Sequence, residues 1–506
     1  MKLMKKILAI VCTFVMIISM ATGVNAVDGP TAQTPGSITL KGAVVGDTYK
    51  VYKILSLESY DKTNYSYKKT GDKWDEFFSG GKGAEYFMTT PDNYVTLNEK
   101  KKNLSDDEVR MLAISAIDFA HAHAEVQPKV TKRADTDTVV FDGLELGYYV
   151  VESTSGTACA ITTTDPNVTI ENKIATPTVD KIITSGGKLS EDHKMNSVNI
   201  GKEVEFKTTI NVKPGAKNYV LHDSMDSHLQ FISVKRVYYI DGNSQEIDLK
   251  EQGVDQTDSG YVITKPGQVD NCTFELKFTD KFYSTNKEAI NAKKINQIYV
   301  VYSAKVMDNA PINVEMKNKT HLTYGDNLKT NESETKTYTY SIPVFKYTGE
   351  NTPLAGAKFI LLNKQDDADS AAIKFKFNSV GNTYTYAADQ SDKAATTILV
   401  SPDGGRFTIE GLQAGTYYLK ETEAPQGYNK ISAPIEIEIK TDAEDKQKIL
   451  VNTEKVEDGE VKVQNKSGSL LPSTGGMGTT LIYVVGSILV LASGIVLFSK
   501  KKEGSN

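Results

Sequence analysis

The pattern of apolar and polar positions divides the chain into three regimes. Behind Lys2, Lys5 and Lys6, Ile7 to Met20 is a predominantly apolar run. Near the other end, Leu481 to Phe498 is a second such run, followed by Lys500, Lys501 and Lys502. Between them, apolar residues alternate with polar ones over short stretches set off by Gly, Asn and Asp, the period-two signature of half-buried strands. Ser37 to Leu40, Tyr49 to Leu57, Gly147 to Glu152, Gln297 to Ala304 and Ser341 to Tyr347 are such stretches. One segment departs from the rule. Ser105-Asp106-Asp107-Glu108 is a capping-box pattern, and Met111, Leu112, Ala116 and Phe119 follow it at helical spacing, which predicts a helix.

The fold class expected is therefore all-β: tandem immunoglobulin-like sandwiches, the first with an inserted helix. Breaks in the pattern place the modules at 27–174, 175–340 and 341–470. No long Pro/Ser linker separates them, so short joints should stack them into an elongated rod. The first apolar run is short for a membrane span and is followed by the small-residue site Val24-Asn25-Ala26, so residues 1–26 read as a secretory signal peptide cleaved after Ala26. The second run is about long enough to cross a bilayer, and the lysines after it should stay cytoplasmic.

Composition removes several function classes. The 506 residues carry 64 acidic and 58 basic side chains, a net charge of −6, whereas nucleic-acid binders present a basic surface. Six His and three Cys leave few soft ligands, so neither a metal nor a cofactor is expected. His121 and His123 stand two apart on the predicted helix and should diverge. Asp366, Asp367 and Asp369 lack the spaced Gly and terminal Glu of a calcium loop. No P-loop, dinucleotide fingerprint or GxSxG is present, so an enzyme is not expected. Secretion permits disulfides, yet Cys12 leaves with the signal peptide, and Cys159 and Cys272 lie in different modules. Both are expected to be free, buried thiols, with a bridge between the modules as the alternative, so a large secreted chain needs some other stabilisation.

The motifs suggest what that is. Leu471-Pro472-Ser473-Thr474-Gly475 stands just before the C-terminal apolar run and basic tail, making 471–506 a unit. In that order and place it resembles the sorting signal of Gram-positive surface proteins. The resemblance implies cleavage by a sortase between Thr474 and Gly475, transfer of the Thr474 acyl group to an amine, and attachment to peptidoglycan.

Tyr417 to Tyr428, YYLKETEAPQGY, resembles the YxLxETxAPxGY box of pilin and collagen-adhesin B-type domains. Strand alternation puts Tyr417, Leu419 and Glu421 on one face; a carboxyl on a core face needs a partner or a proton. The same alternation groups Ile342, Val344 and Lys346, and again Val461, Val463 and Asn465. The resemblance implies an intramolecular isopeptide bond from Lys346 to Asn465, promoted by Glu421. Asn452, in Leu450-Val451-Asn452, is the alternative acceptor, and a buried salt bridge without a bond is the plainer reading. In the middle module, Val179, Lys181 and Ile183 share a face, as do Leu221, Asp223 and Met225 in a Leu-His-Asp-Ser-Met segment, and Met316, Asn318 and Thr320. These resemble the same device: Lys181 joined to Asn318, with Asp223 as the acid. In the first module Lys53, Glu152 and Asn172 offer the right residue types without a specific box.

Sortase-assembled pilus backbone subunits carry an acceptor lysine near the end of their first domain, in a Val-Tyr-Pro-Lys-Asn-like motif. Here the place reads Val168-Thr169-Ile170-Glu171-Asn172-Lys173; Tyr and Pro are missing, and alternation turns Lys173 outward. The chain thus resembles a major pilin. The resemblance implies head-to-tail polymerisation with other copies of itself (Thr474 to Lys173), ancillary pilins as further partners, and a wall-anchored surface location. The alternative is a singly anchored adhesin or ancillary pilin with the same sorting signal. No host ligand is legible.

Overall fold

The computed structural model describes residues 35–60, 65–98, 101, 104–153, 158–161, 167–171, 176–251, 259–267, 270–325, 328–441, 447–468 and 483–490. The signal peptide, Leu471 to Gly475 with Thr474, and Asn172 and Lys173 lie outside the described residues. Residues 483–490, within the C-terminal apolar run, are helical. Among the described residues no helix is long and apolar enough to cross a membrane.

The chain is mostly β, with several sheets and few helices, and forms two compact units, Met1–Thr339 and Tyr340–Asn506. The first unit holds two separate apolar cores. One draws on residues from Ile38 to Ile170, the other on residues from Ile183 to Tyr324. Around the first core, Gly36–Lys41 pairs in parallel with Asn167–Glu171 and antiparallel with Thr138–Leu144. A seven-stranded sheet centred on Thr48–Tyr60 and Gly147–Ser153 lies alongside in sequence. The helix Asp106–Ala122 starts where the capping box predicts. The Ser105 hydroxyl accepts from the Glu108 N–H, and the Glu108 carboxylate accepts in return from the Ser105 N–H at 2.9 Å, which satisfies two backbone donors that a helix start leaves orphaned. Trp74 and Phe77 pack on Phe119 of this helix.

Around the second core, Thr178–Ser185, Glu203–Asn211, Gln297–Val306, Leu229–Ile240 and Glu246–Asp248 form a five-stranded sheet in that order. A nine-stranded sheet contains Ser333–Tyr338, Met316–Tyr324, Val220–Met225, Phe274–Phe278 and Ser259–Thr264 as successive neighbours. The inner positions of Glu203–Asn211 (Val204, Phe206, Thr208, Ile210) are all buried, while the alternate ones are not. A helix that the alternation did not predict, Asp280–Asn291, is capped by the Thr279 hydroxyl and buries Phe282 and Ile290. Its apolar residues are few, and the run Asp-Lys-Phe-Tyr-Ser-Thr-Asn-Lys-Glu reads as a polar loop.

The second unit has two six-stranded sheets. In one, Tyr340–Thr348 lies between Thr352–Pro353 and Arg406–Leu412, and Val461–Gln464 pairs with it in parallel. The other runs from Lys358–Leu362 through Gly415–Glu423 and Ile435–Thr441 to Gln447–Val451. First and last strands are thus direct neighbours in one sheet.

Candidate functional sites: two buried lysine–acid–asparagine clusters

In the middle module, Lys181 projects from one sheet toward Asp223 and Asn318 on the other. Asp223 pairs in register with Thr320, and Met225 with Asn318, so Asp223 and Asn318 are diagonal neighbours on one face. All three side chains are fully buried. Lys181 Nζ lies 2.6 Å from Asp223 Oδ2 and 2.6 Å from Asn318 Oδ1. The Tyr302 hydroxyl donates to the same Asp223 oxygen, and the rings of Phe206 and Tyr302 stand 5.9 and 5.7 Å from the amine. Burial pulls the Lys181 amine down to about 8, against the opposing pull of Asp223. Burial pushes the Asp223 carboxyl up. Both shifts favour the neutral partners, as loss of water around a charge requires. Among the described residues Asp223 Oδ1 and Asn318 Nδ2 have no hydrogen-bond partner, a costly state for buried polar atoms.

The second unit repeats the set with a different layout. Lys346 sits on the first strand; Asn465 follows directly on the last, its N–H donating to the Tyr347 carbonyl at 3.0 Å. Glu421 reaches across from the facing sheet. Lys346, Glu421 and Asn465 are all buried. Lys346 Nζ is 3.5 Å from Glu421 Oε1, and Asn465 Nδ2 donates to Glu421 Oε2 at 2.9 Å and to the Asn429 carbonyl at 2.7 Å. The Ile431 N–H also donates to Glu421 Oε2, at 2.7 Å. Burial lowers the Lys346 amine, which lies 5.8 Å from the Phe359 ring. Among the described residues Glu421 Oε1 and Asn465 Oδ1 lack hydrogen-bond partners. Asn452 is elsewhere. It is exposed at a turn with positive φ and accepts from the Glu436 N–H at 3.4 Å.

In the first module, Lys53 and Glu152 do not come together, and Asn172 lies outside the described residues. Register places Lys53 opposite Tyr149 but Lys50 opposite Glu152, so Lys53 and Glu152 emerge on opposite faces of the sheet. Lys53 Nζ instead meets Glu145 at 2.7 Å, while Glu152 takes Tyr52, His121 and Lys217. His121 and His123 diverge as expected: His123 Nδ1 donates to the Phe119 carbonyl at 2.9 Å and its Nε2 lies 3.3 Å from Glu76 Oε2, away from Glu152. Asp369 pairs with Lys420, and Asp367 accepts from the Lys364 N–H.

Sequence reasoning passed over Tyr302, Phe206 and Phe359. Tyr302 was within reach, because it shares a face with Ile298, Val300 and Ala304. It also passed over a second cluster in the middle module, where His222, Asp270, Cys272 and Glu275 bring their ligand atoms within 4.8 Å of one another. Cys272 is a buried free thiol.

Residues 341–455 match the family described as SpaA, a prealbumin-like fold domain; Asn465 lies beyond the matched segment. No curated protein matches the chain. Among solved structures, the chain is similar to the fimbrial protein FimP from Actinomyces oris, at 15% identity over 87% of this chain and 100% of that one, with a TM-score of 0.46. It is similar to the T6 backbone pilin of serotype M6 Streptococcus pyogenes, at 14% identity over 87% and 100%, with a TM-score of 0.46. It is also similar to the full-length major pilin SpaD from Corynebacterium diphtheriae, at 17% identity over 86% and 98%, with a TM-score of 0.41.

Proposed function

We propose that the chain is the backbone subunit of a sortase-assembled surface pilus, its immunoglobulin-like modules stiffened by Lys181–Asn318 and Lys346–Asn465 amide bonds. The observation that carries the internal bonds is the repetition, in two modules, of a fully buried Lys beside a carboxyl and an Asn. A buried ion pair is a poor stabiliser, because desolvation of two charges offsets their attraction. The same three groups make sense as reactants. Proton transfer from Lys181 to Asp223 leaves a neutral amine and a carboxylic acid, the forms burial favours. The amine attacks Asn318 Cγ while the acid hydrogen-bonds Oδ1, where negative charge develops. The carboxyl then relays a proton to Nδ2, the C–N bond to it breaks, and ammonia leaves. Lysine and carboxamide become an amide plus ammonia, and no charge remains buried between them. Loss of Nδ2 also removes one orphaned donor. Glu421 performs the same relay for Lys346 and Asn465; it already touches the nitrogen that departs.

The sorting signal and Lys173 supply the links between subunits. Thr474, as an acyl-enzyme on a sortase, is transferred to the Lys173 amine of the next copy, and the last copy to peptidoglycan. Polymers of this kind resist boiling in detergent, because every link is covalent. Cells expressing the chain should give a high-mass ladder that Lys173→Ala collapses to monomer. A ladder unchanged by that substitution removes Lys173 as the acceptor, and wild-type cells without a ladder would support the singly anchored adhesin instead.

A further inference from the structure

Side chains alternate across the Val220–Met225 strand, so Asp223 faces the core and His222 points out of the sheet's other face. There it pairs in register with Glu275 of the neighbouring strand. The turn leading into Phe274–Phe278 brings up Asp270 and Cys272. It is closed by the Gly267 N–H on the Cys272 carbonyl (2.9 Å) and by the Cys272 N–H on Asp270 Oδ1 (3.2 Å). We propose that His222 Nδ1, Asp270, Cys272 Sγ and Glu275 form a binding site for one divalent cation of the zinc type.

Three observations support it. The first is spacing. His222 Nδ1 lies 3.8 Å from Cys272 Sγ, 3.3 Å from Asp270 Oδ2 and 3.6 Å from Glu275 Oε1. A tetrahedral zinc with bonds of about 2.0–2.3 Å holds its ligands about 3.3–3.6 Å apart, so the distances from Nδ1 are within a few tenths of an ångström of that spacing, and the remaining ligand pairs lie within 4.8 Å. The second is the donor set. One thiolate, one imidazole and two carboxylates suit zinc, while calcium and magnesium call for oxygen alone. The third is the support around the ligands. Thr323 Oγ1, 3.0 Å from His222 Nε2, holds the ring with Nδ1 toward the cluster. His321 stacks on that ring at 4.6 Å and 3°. Ligand-orienting contacts of this sort are what metal centres use to fix a histidine. Cys272, His222 and Glu275 are buried, and Asp270 is more exposed, giving a path of entry. A side chain at Gly267 would collide with Cys272 Sγ at 2.3 Å, so the turn is shaped around the sulfur.

Binding exchanges the thiol proton for a metal–sulfur bond and releases that proton to solvent; no electron moves. The test uses the full chain, stripped with chelator and titrated with zinc, with Cys272→Ser and Asp270→Asn as variants. The second keeps the interior packing if the first folds poorly. The expected result is one zinc per chain, a cobalt-substituted form with tetrahedral and thiolate absorption, and affinity reduced at least about tenfold in each variant. Zinc should raise the thermal transition of the wild type and of neither variant at equal concentration. The proposal fails if no stoichiometric zinc binds, if both variants bind as the wild type does, or if Cys272 is recovered in a disulfide.

Discussion

Replacing Asp223 by Asn removes the acid while keeping its size, and should leave the middle module folded but unbonded. Lys181 and Asn318 are 137 positions apart. Closing a loop of that length lowers the entropy of the unfolded chain by an amount equivalent to roughly 5 kcal/mol. The substitution also strips Lys181 of its main opposite charge. That amine is already held near 8 by burial, and losing Asp223 pushes it lower. It therefore stays neutral inside the variant and avoids an unpaired buried charge, so the crosslink dominates the difference. For a module of this size each kcal/mol is worth about 2–4 °C, so the transition should fall by about 10–20 °C. Scanning calorimetry on the wild type and on Asp223→Asn measures the shift, and intact mass reports whether one ammonia is retained. Asn318→Ser, which blocks the bond from the other side, should fall by a comparable amount. A drop below about 5 °C with the ammonia retained would refute the entropic reasoning; a variant that has lost the ammonia would remove Asp223 from the chemistry.

Glu421→Gln should retain one ammonia in the second unit, and the double variant with Asp223→Asn should retain two; any other count shows that the clusters do not act independently. Asn465→Ala should fall one ammonia, not two, below its own sequence mass, whereas Asn452→Ala should fall two ammonias below its own, as the wild type does, since Asn452 stands at an exposed turn; the reverse outcome would move the acceptor. The pH dependence follows from the pair acting together. Burial lowers Lys181 to about 8 and raises Asp223, so the two share one proton below about 8 and lose it above. Amide formation in freshly refolded chain, followed by mass, should slow as pH rises through about 8. A rate that climbs with pH would mean that deprotonation of the amine alone limits the reaction.

The strands and the two Lys–acid–Asn sets were legible because alternation assigns each side chain a face, and a charged residue on an apolar face needs an explanation. Lys181 among Val179 and Ile183, and Lys346 among Ile342 and Val344, stand out on that test alone. Which faces meet is a matter of sheet pairing, and alternation does not report it. Lys53 and Glu152 each share a face with apolar neighbours, yet register sends them to opposite sides of one sheet. Nor does alternation give strand order: Asn318 is not on the last strand of its module, since Ser333–Tyr338 follows it and pairs beside it. The His222 cluster was hidden for a related reason. His222 reads as part of the Asp223 strand, and only the turn ahead of Phe274 brings Asp270 and Cys272 to its outer face. The helix Asp280–Asn291 has so polar a surface that its apolar spacing is thin, and its Thr279 cap is a single residue rather than a box.

The most direct test of covalent stabilisation is peptide mapping of the wild-type protein after proteolysis. The account predicts two branched peptides, one joining Lys181 to Asn318 and one joining Lys346 to Asn465, each lighter than its two linear parts by one ammonia. Recovery of all four residues in linear peptides of unmodified mass would contradict it.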